Sequence, residues 1–303
     1  MVIEASNVTV TYRDGYTAVD DVDLHIERGS FFGFLGPNGA GKTTLVKTLA
    51  TLLTPTKGSI RIDGYDAEKE TWNVRRSIGY MPQETSIDPE LTARENLSFA
   101  CDAYNVDPSD REKRIQELLE LVQLEDVADK RSETYSGGMQ KRLDAATALV
   151  HEPPLVFLDE PTTGLDPAAR NKLWDYFRAI NEKGTTFFLT TQYLEEADKL
   201  CDEIAVMQNG KIRVRDTPAN LKKRVGGDII SMVLEDTRRG YSVLRNVFGD
   251  AVTRNQEEVR ITTQKPTEHV VKALTLLQEE ALSVRDLKVQ QPTLDDVFLS
   301  LTQ

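Results

Sequence analysis

Cysteine and histidine are scarce in this 303-residue chain: two cysteines, Cys101 and Cys201, and three histidines, His25, His151 and His269. The two cysteines lie far apart in sequence and fit a reducing cytosol better than a disulfide scaffold. The histidines show no paired spacing, which argues against a His/Cys metal site. Positive charge is also short: 37 Lys plus Arg stand against 49 Asp plus Glu, a net charge of -12. Such a chain repels polyanions and is a poor nonspecific binder of nucleic acid or anionic lipid. No apolar run approaches the roughly 18 residues of a membrane-spanning helix. The longest, around residues 155–158 and 187–189, are strand-sized. The first ten residues lack a basic region followed by an apolar core, so no signal peptide is expected.

What is present is ordinary. A hydrophobic fraction of 39% and a charged fraction of 28% belong to a soluble globular protein rather than a disordered one. The length predicts one large domain and a smaller one. Up to about Leu221, short β-type runs alternate with helical stretches. Residues 31–35, 155–158 and 185–190 read as buried strands, and 42–50, 168–180 and 194–200 as helices. That alternation predicts an α/β domain with a largely parallel sheet. Between residues 84 and 135 the strand signal stops. There Ile115, Leu118, Leu119 and Val122 share one helical stripe, which predicts a helical subdomain. Asn209-Gly210 separates two extended runs and predicts a hairpin. After Arg224-Val225-Gly226-Gly227 the chain restarts as a small α+β unit: strands at 229–234, 259–263 and 283–289, helices at 241–247 and 269–279. A last helix follows, with Thr293 as cap and Asp295 and Asp296 at its positive end.

Three motifs carry chemistry. Gly36-Pro37-Asn38-Gly39-Ala40-Gly41-Lys42-Thr43, followed by Thr44, matches the glycine-rich phosphate loop between a predicted strand and a predicted helix. Its glycines let backbone N–H groups wrap phosphate, and the helix N-terminus adds a dipole. Lys42 would reach the outer phosphates and the Thr43 hydroxyl would hold Mg²⁺. In the second motif, an apolar strand delivers Asp159 and Glu160 to the edge of the sheet where ligands bind. Asp159 suits the carboxylate that organises Mg²⁺, and Glu160 the base that acts on water. The third, Ser136-Gly137-Gly138-Met139-Gln140, opens a helix and reads as a second phosphate cradle, one that faces another copy of the chain. Its plainer reading is Ser136 as a helix cap.

Together these residues resemble the ATP-binding subunit of an ABC transporter over about residues 3–222. The resemblance assigns residues 36–43 to Walker A, 155–161 to Walker B, Gln83 to the Q-loop and a Mg²⁺-binding role, and 135–139 to the signature. Gly164-Leu165-Asp166 resembles the D-loop, and Tyr12 falls where the family stacks an aromatic ring on adenine. It implies a P-loop ABC ATPase domain with a mixed sheet over residues 1–224, its helical subdomain about 84–150. An accessory or regulatory α+β domain would then occupy 225–303. YSGGM, residues 190–198 and residues 292–302 resemble the daunorubicin-resistance branch, whose permease is usually a separate polypeptide.

Two departures from the family pattern stand out. Gln192 occupies the place of a switch histidine; its amide can donate to a γ-phosphate but cannot carry a proton. Tyr135 and Met139 replace a leucine and a glutamine, while Ser136, Gly137 and Gly138 are intact. The resemblance implies two copies, or one copy and a related ATPase, closing head to tail around two ATP·Mg²⁺. Lys42, Thr43, Gln83, Asp159 and Glu160 of one would face Ser136, Gly138 and Asp166 of the other. The implied product is an ATPase on the cytoplasmic face of the membrane, powering export of a drug, lipid or polysaccharide. The permease is expected near Gln83, through Leu91, Leu97, Phe99 and Tyr104, although for any one of them packing of the subdomain core is the plainer reading. Lys141 and Arg142 read as solvated surface. The alternatives are a soluble ATPase acting on nucleic acid or ribosomes, disfavoured by charge, and a nucleotide-binding regulator without turnover, disfavoured by Glu160.

Overall fold

The computed structural model describes residues 1–255 and 257–302, and the chain divides into two compact units, Met1–Thr217 and Pro218–Gln303. The division falls seven residues before the boundary expected at 224/225. The short helix α8 (Pro218–Lys223) packs against the last helix, α11 (Leu294–Thr302), and so belongs to the second unit.

In the first unit, strand β1 (Ile3–Thr11) buries Ile3 and Ala5, then Val8 and Val10. Asn7, at φ +50°, sits in an irregularity that shifts the buried phase by one residue. With β2 (Thr17–Ile26), β4 (Lys57–Ile62) and β5 (Tyr65–Asp66), β1 forms an antiparallel sheet in the order β2-β1-β4-β5. The second sheet runs β10-β9-β3-β8-β7-β6. Its strands β3 (Phe31–Leu35), β6 (Ile78–Met81), β7 (Leu155–Asp159), β8 (Thr186–Thr190) and β9 (Glu203–Gln208) are parallel. Only β10 (Lys211–Asp216) is antiparallel, joined to β9 by the Asn209-Gly210 turn. The sheet is therefore mixed, as expected.

Every residue of β3, β7 and β8 is buried, because both faces of the sheet are covered. On one face, α1 (Lys42–Leu49) contributes Leu45, Val46 and Leu49 to a core with Ile3, Leu24, Phe34 and Phe157. On the other, Phe31 stacks on Phe187 at 5.0 Å and α6 (Pro167–Asn181) adds Phe177 at 5.6 Å. Since β3, β8 and β7 are neighbours, the loops leaving their C-terminal ends converge on one edge. Helices α2 (Thr71–Ser77) and α7 (Leu194–Leu200) complete the α/β part.

The insertion is helical. It holds α3 (Ala93–Ala103), opened by a Thr92/Glu95 capping box, α4 (Pro108–Leu121), capped by Asp107, and α5 (Gly137–Thr147). The stripe of Ile115, Leu118, Leu119 and Val122 is buried.

The second unit follows β11 (Asp228–Leu234), α9 (Thr237–Phe248), β12 (Val252–Arg254), β13 (Glu258–Thr263), α10 (Pro266–Glu279) and β14 (Val284–Gln290). Its antiparallel sheet runs β12-β13-β11-β14, a βαββαβ arrangement of the ferredoxin-like kind. Ile230, Met232, Leu244, Val259, Ile261 and Leu277 fill its core. Thr293 caps α11: its hydroxyl accepts from the Asp296 N–H, and Asp296 accepts from the Thr293 N–H at 2.8 Å.

Candidate functional site

The loop from Gly36 to Gly41 turns between β3 and α1 with Pro37, Asn38 and Gly39 exposed and Ala40 buried. Glycine is required at position 41. Its φ is +106°, and a Cβ there would lie 2.0 Å from the Ala18 carbonyl oxygen. The turn behind it is held by the β9–β10 hairpin, since the Gly210 N–H donates to the Ala40 carbonyl at 3.0 Å. Lys42 reaches back into the loop, its Nζ donating to the carbonyls of Gly36 at 2.7 Å and Pro37 at 3.1 Å. Burial lowers its pKa, opposed by the nearby charges of Glu160 and Asp159. Thr43 is exposed at the helix start and Thr44 half-buried behind it.

Two strands away, β7 ends in Asp159, 3% exposed. Asp159 and Thr190 are register partners on β7 and β8, and the Thr190 hydroxyl donates to Asp159 Oδ1 at 2.5 Å. Burial pushes the Asp159 carboxyl up, while the Thr190 bond holds it down. Glu160 follows at φ +50°, a left-handed conformation for a residue with a side chain, fixed by its N–H donating to the Thr190 carbonyl at 2.9 Å. Its carboxylate is gripped from two loops. Gln83 Nε2 donates to Oε2 at 3.0 Å and Gln192 Nε2 to Oε1 at 2.8 Å, and the Thr163 hydroxyl adds a longer bond at 3.4 Å. Both glutamines must therefore turn an amide nitrogen to Glu160, which leaves the Gln83 amide oxygen free of that bond. The donor set of Thr43 hydroxyl, Gln83 amide oxygen and Asp159 carboxylate is all hard oxygen, which fits Mg²⁺.

The signature turn divides its two glycines. The Ser136 hydroxyl accepts from the Met139 N–H at 3.3 Å, so it does cap α5. A Cβ on Gly138 would meet the Ala169 side chain at 2.9 Å, whereas one on Gly137 meets nothing within 4 Å. Close approach to Gly138 is thus internal packing, while the backbone at Gly137 is open. Asp166 caps α6, accepting from the N–H groups of Ala168 and Ala169 at 2.9 Å. Tyr12, 42% exposed in the β1–β2 turn, is tied through its hydroxyl to Thr44 Oγ1 at 3.0 Å. Nearby Tyr16, which the sequence reading missed, donates from its hydroxyl to the Gly39 carbonyl at 3.3 Å.

Lys141 and Arg142 are not solvated surface. Lys141 Nζ donates to the Gln83 carbonyl at 2.6 Å, and Arg142 donates to the Val122 and Gln123 carbonyls that end α4. Both cysteines are buried.

Residues 19–163 match the family described as ABC transporter. A daunorubicin resistance ATP-binding protein of Streptomyces coeruleorubidus is 42% identical over 94% of this chain and 91% of its own length. A Nod factor export ATP-binding protein of Sinorhizobium fredii is 37% identical over 99% of this chain and 85% of its own. Among solved structures, the dimeric post-hydrolysis state of an ATP-binding cassette bound to ADP and Pi is similar with a TM-score of 0.65. Identity there is 30%, over 71% of this chain and 98% of that one. With a phosphate loop, an Asp-Glu strand end and a signature turn in one α/β unit, the chain belongs to the ATP-binding proteins of ABC transporters, in the daunorubicin-resistance branch, and is an ATPase.

Proposed function

We propose that this ATPase energises a membrane exporter by closing, head to tail, against a second copy or a related subunit, with ATP held between them. The observation that carries the reading is the double grip on Glu160. A carboxylate held by two neutral amide donors stays an acceptor of fixed orientation, as a base acting on a water beside a γ-phosphate must be. Lys42 and the loop amides bind the phosphates, and Tyr12 takes the adenine face. Thr43, Gln83 and Asp159 would hold Mg²⁺, which supplies charge neutralisation at the phosphates when bound. The exposed Ser136–Gly137 turn offers N–H groups and a hydroxyl to the nucleotide of the partner. ATP favours the closed state because those contacts exist only on closure.

The transported compound, of drug, lipid or polysaccharide class, is chosen by a separate permease, with this chain peripheral on the cytoplasmic face. No helix among the described residues is long and apolar enough to cross a membrane. The groove between the α/β core and α3, lined by Ile87, Phe99, Ala100 and Tyr104, is the place for that permease. Phe99 is 70% exposed and suits docking. Leu97 is fully buried and packs the subdomain instead, while Tyr104 stacks on His151.

ATP turnover followed across protein concentration tests the reading, alongside Glu160→Gln. Turnover that rises faster than linearly and is lost in the mutant, with ATP binding retained, is the expected result. Concentration-independent turnover that survives the mutation removes both the dimer and the base.

A further inference from the structure

We propose that Lys141 and Asp144 of α5 are positioning residues that hold the Gln83–Ser86 segment and, through Gln83, set the Glu160 carboxylate, so that movement of the signature helix reaches the base. This rests on the reading of Glu160 as the base.

The segment leaves β6 at Met81, which is buried, and returns to the core at Ile87. Residues 83–86 between them are exposed. Apolar packing therefore does little to fix their backbone, and polar contacts must do it. Those contacts run to one face of α5. Lys141 donates to the Gln83 carbonyl at 2.6 Å. Three residues on, Asp144 Oδ1 accepts from the Ser86 N–H at 3.3 Å and from the Ser86 hydroxyl. Positions three apart share a helix face, so both ends of the segment are read by one rigid surface.

Asp144 is 1% exposed, and its Oδ2 has no hydrogen-bond partner. A buried carboxyl with an unsatisfied oxygen is costly to a fold. Its attachment to Ser86 is what it offers in return. Burial raises the Asp144 pKa and lowers that of Lys141.

The helix that carries this face begins at Ser136 and Gly137, the turn proposed to meet the nucleotide of the partner. Lys141 lies five residues along from Ser136, about 7–8 Å of helix rise. A rigid rod of little more than a turn thus joins the signature to the Gln83 backbone. The Gln83 side chain completes the path with its 3.0 Å bond to Glu160 Oε2.

The test uses the full chain and four variants: Lys141→Met, Lys141→Arg, Gln83→Ala and the double variant Lys141→Met/Gln83→Ala. Lys141→Met should lower kcat for ATP on the order of tenfold, the usual cost of losing an outer positioning group. KM for ATP should hold, because the phosphate loop is untouched. Lys141→Arg keeps a long donor and should recover most of kcat. In the Gln83→Ala background Lys141→Met should add no further loss. Amide hydrogen exchange of residues 83–87 should quicken in Lys141→Met at an unchanged unfolding midpoint.

Wild-type kcat and exchange in Lys141→Met would overturn the proposal. So would a full additional tenfold loss in the Gln83→Ala background, which would mean that Lys141 acts by another route. A fallen unfolding midpoint with kcat and KM shifted together would reduce Lys141 to a structural role. Glu160→Gln separates the two readings: if it still hydrolyses ATP at the wild-type rate, the base assignment fails whatever Lys141 does. If it is inactive while Lys141→Met behaves as wild type, only the positioning proposal fails.

Discussion

Gln192 donates to Glu160 at 2.8 Å, so the residue that the resemblance sets in the place of a switch histidine is bonded to the carboxylate. An amide donates at every pH in the working range, while an imidazole changes charge near pH 6.5. Turnover of the natural protein should therefore show no ionisation step from this position. Gln192→His should add one between roughly pH 5.5 and 7.5, as the ring gains a proton and a charge beside Glu160. Gln192→Ala should lower kcat on the order of tenfold with KM held, since one of the two amide donors on the carboxylate is gone. Identical pH–rate profiles for the natural protein and Gln192→His would show that position 192 does not act on Glu160 in the reaction.

The two signature glycines should part company when each is changed to alanine. At Gly138 the added Cβ meets Ala169 at 2.9 Å, and the helix must shift. Overpacking of that kind costs roughly 1–3 kcal/mol, read as a lower unfolding midpoint. At Gly137 the Cβ enters open space, and alanine is the better helix former. Gly137→Ala should therefore keep or slightly raise stability while reducing turnover, because on the proposed reading a methyl group then stands where phosphate oxygens approach the N–H groups. Full turnover in Gly137→Ala would exclude that turn from the nucleotide site.

The phosphate loop, the Asp-Glu strand end and the core strands were legible because each is a local pattern with a single physical reading. A short apolar run followed by glycines and Lys42, or by Asp159 and Glu160, leaves few alternatives. The first sheet was less visible. The irregularity at Asn7 interrupts the alternation in β1, and β5 has only two residues. Strand β12, three residues long, was missed for the same reason. What the sequence hid most was long-range: Thr190 on Asp159, Gln192 and Gln83 on Glu160, and Lys141 on the Gln83 backbone. Lys141 in particular has the sequence surroundings of a surface helix. Only the path of residues 83–86 across α5 turns it inward.

His151 should make the protein lose stability on mild acidification. Its ring stacks on Tyr104 with centroids 3.7 Å apart and planes 5° apart, and Nε2 meets the Ile78 carbonyl at 3.0 Å. A carbonyl only accepts, so Nε2 carries the proton and the ring is neutral, with Nδ1 buried and unpartnered. Burial, with Arg114 and Arg76 nearby, lowers its pKa from 6.5 to about 4. The folded pKa lies below the unfolded one, so below pH 6.5 the unfolded chain binds a proton that the folded chain refuses. The contribution is fully present above pH 6.5 and declines as pH falls toward 4, by roughly 2–3 kcal/mol across that window. Urea unfolding of the natural protein and of His151→Phe at several pH values measures it. The phenyl ring keeps the stack and cannot titrate, so its slope in this window should be shallower; equal slopes would mean that His151 titrates normally.

From the β1–β2 hairpin, the Tyr12 hydroxyl reaches Thr44 at the helix start and the Tyr16 hydroxyl reaches Gly39 in the phosphate loop, while the two residues remain 42% and 55% exposed, respectively. Stacking and hydroxyl tethering can be separated by substitution. Tyr12→Phe keeps the ring and loses the bond to Thr44, whereas Tyr12→Ala loses both. If the ring carries the adenine, Tyr12→Ala should raise KM for ATP about tenfold, the worth of roughly 1–3 kcal/mol of base–aromatic stacking, and Tyr12→Phe should change it little. Because every base has a π-face, the same loss is expected with GTP. Equal effects of Phe and Ala would assign Tyr12 to holding Thr44 at the helix start. Tyr16→Phe then tests the second hydroxyl, which bonds to the loop backbone at Gly39. Its loss should weaken ATP and inorganic triphosphate alike, whereas Tyr12→Ala should weaken ATP and leave triphosphate unchanged, since triphosphate has no base to stack.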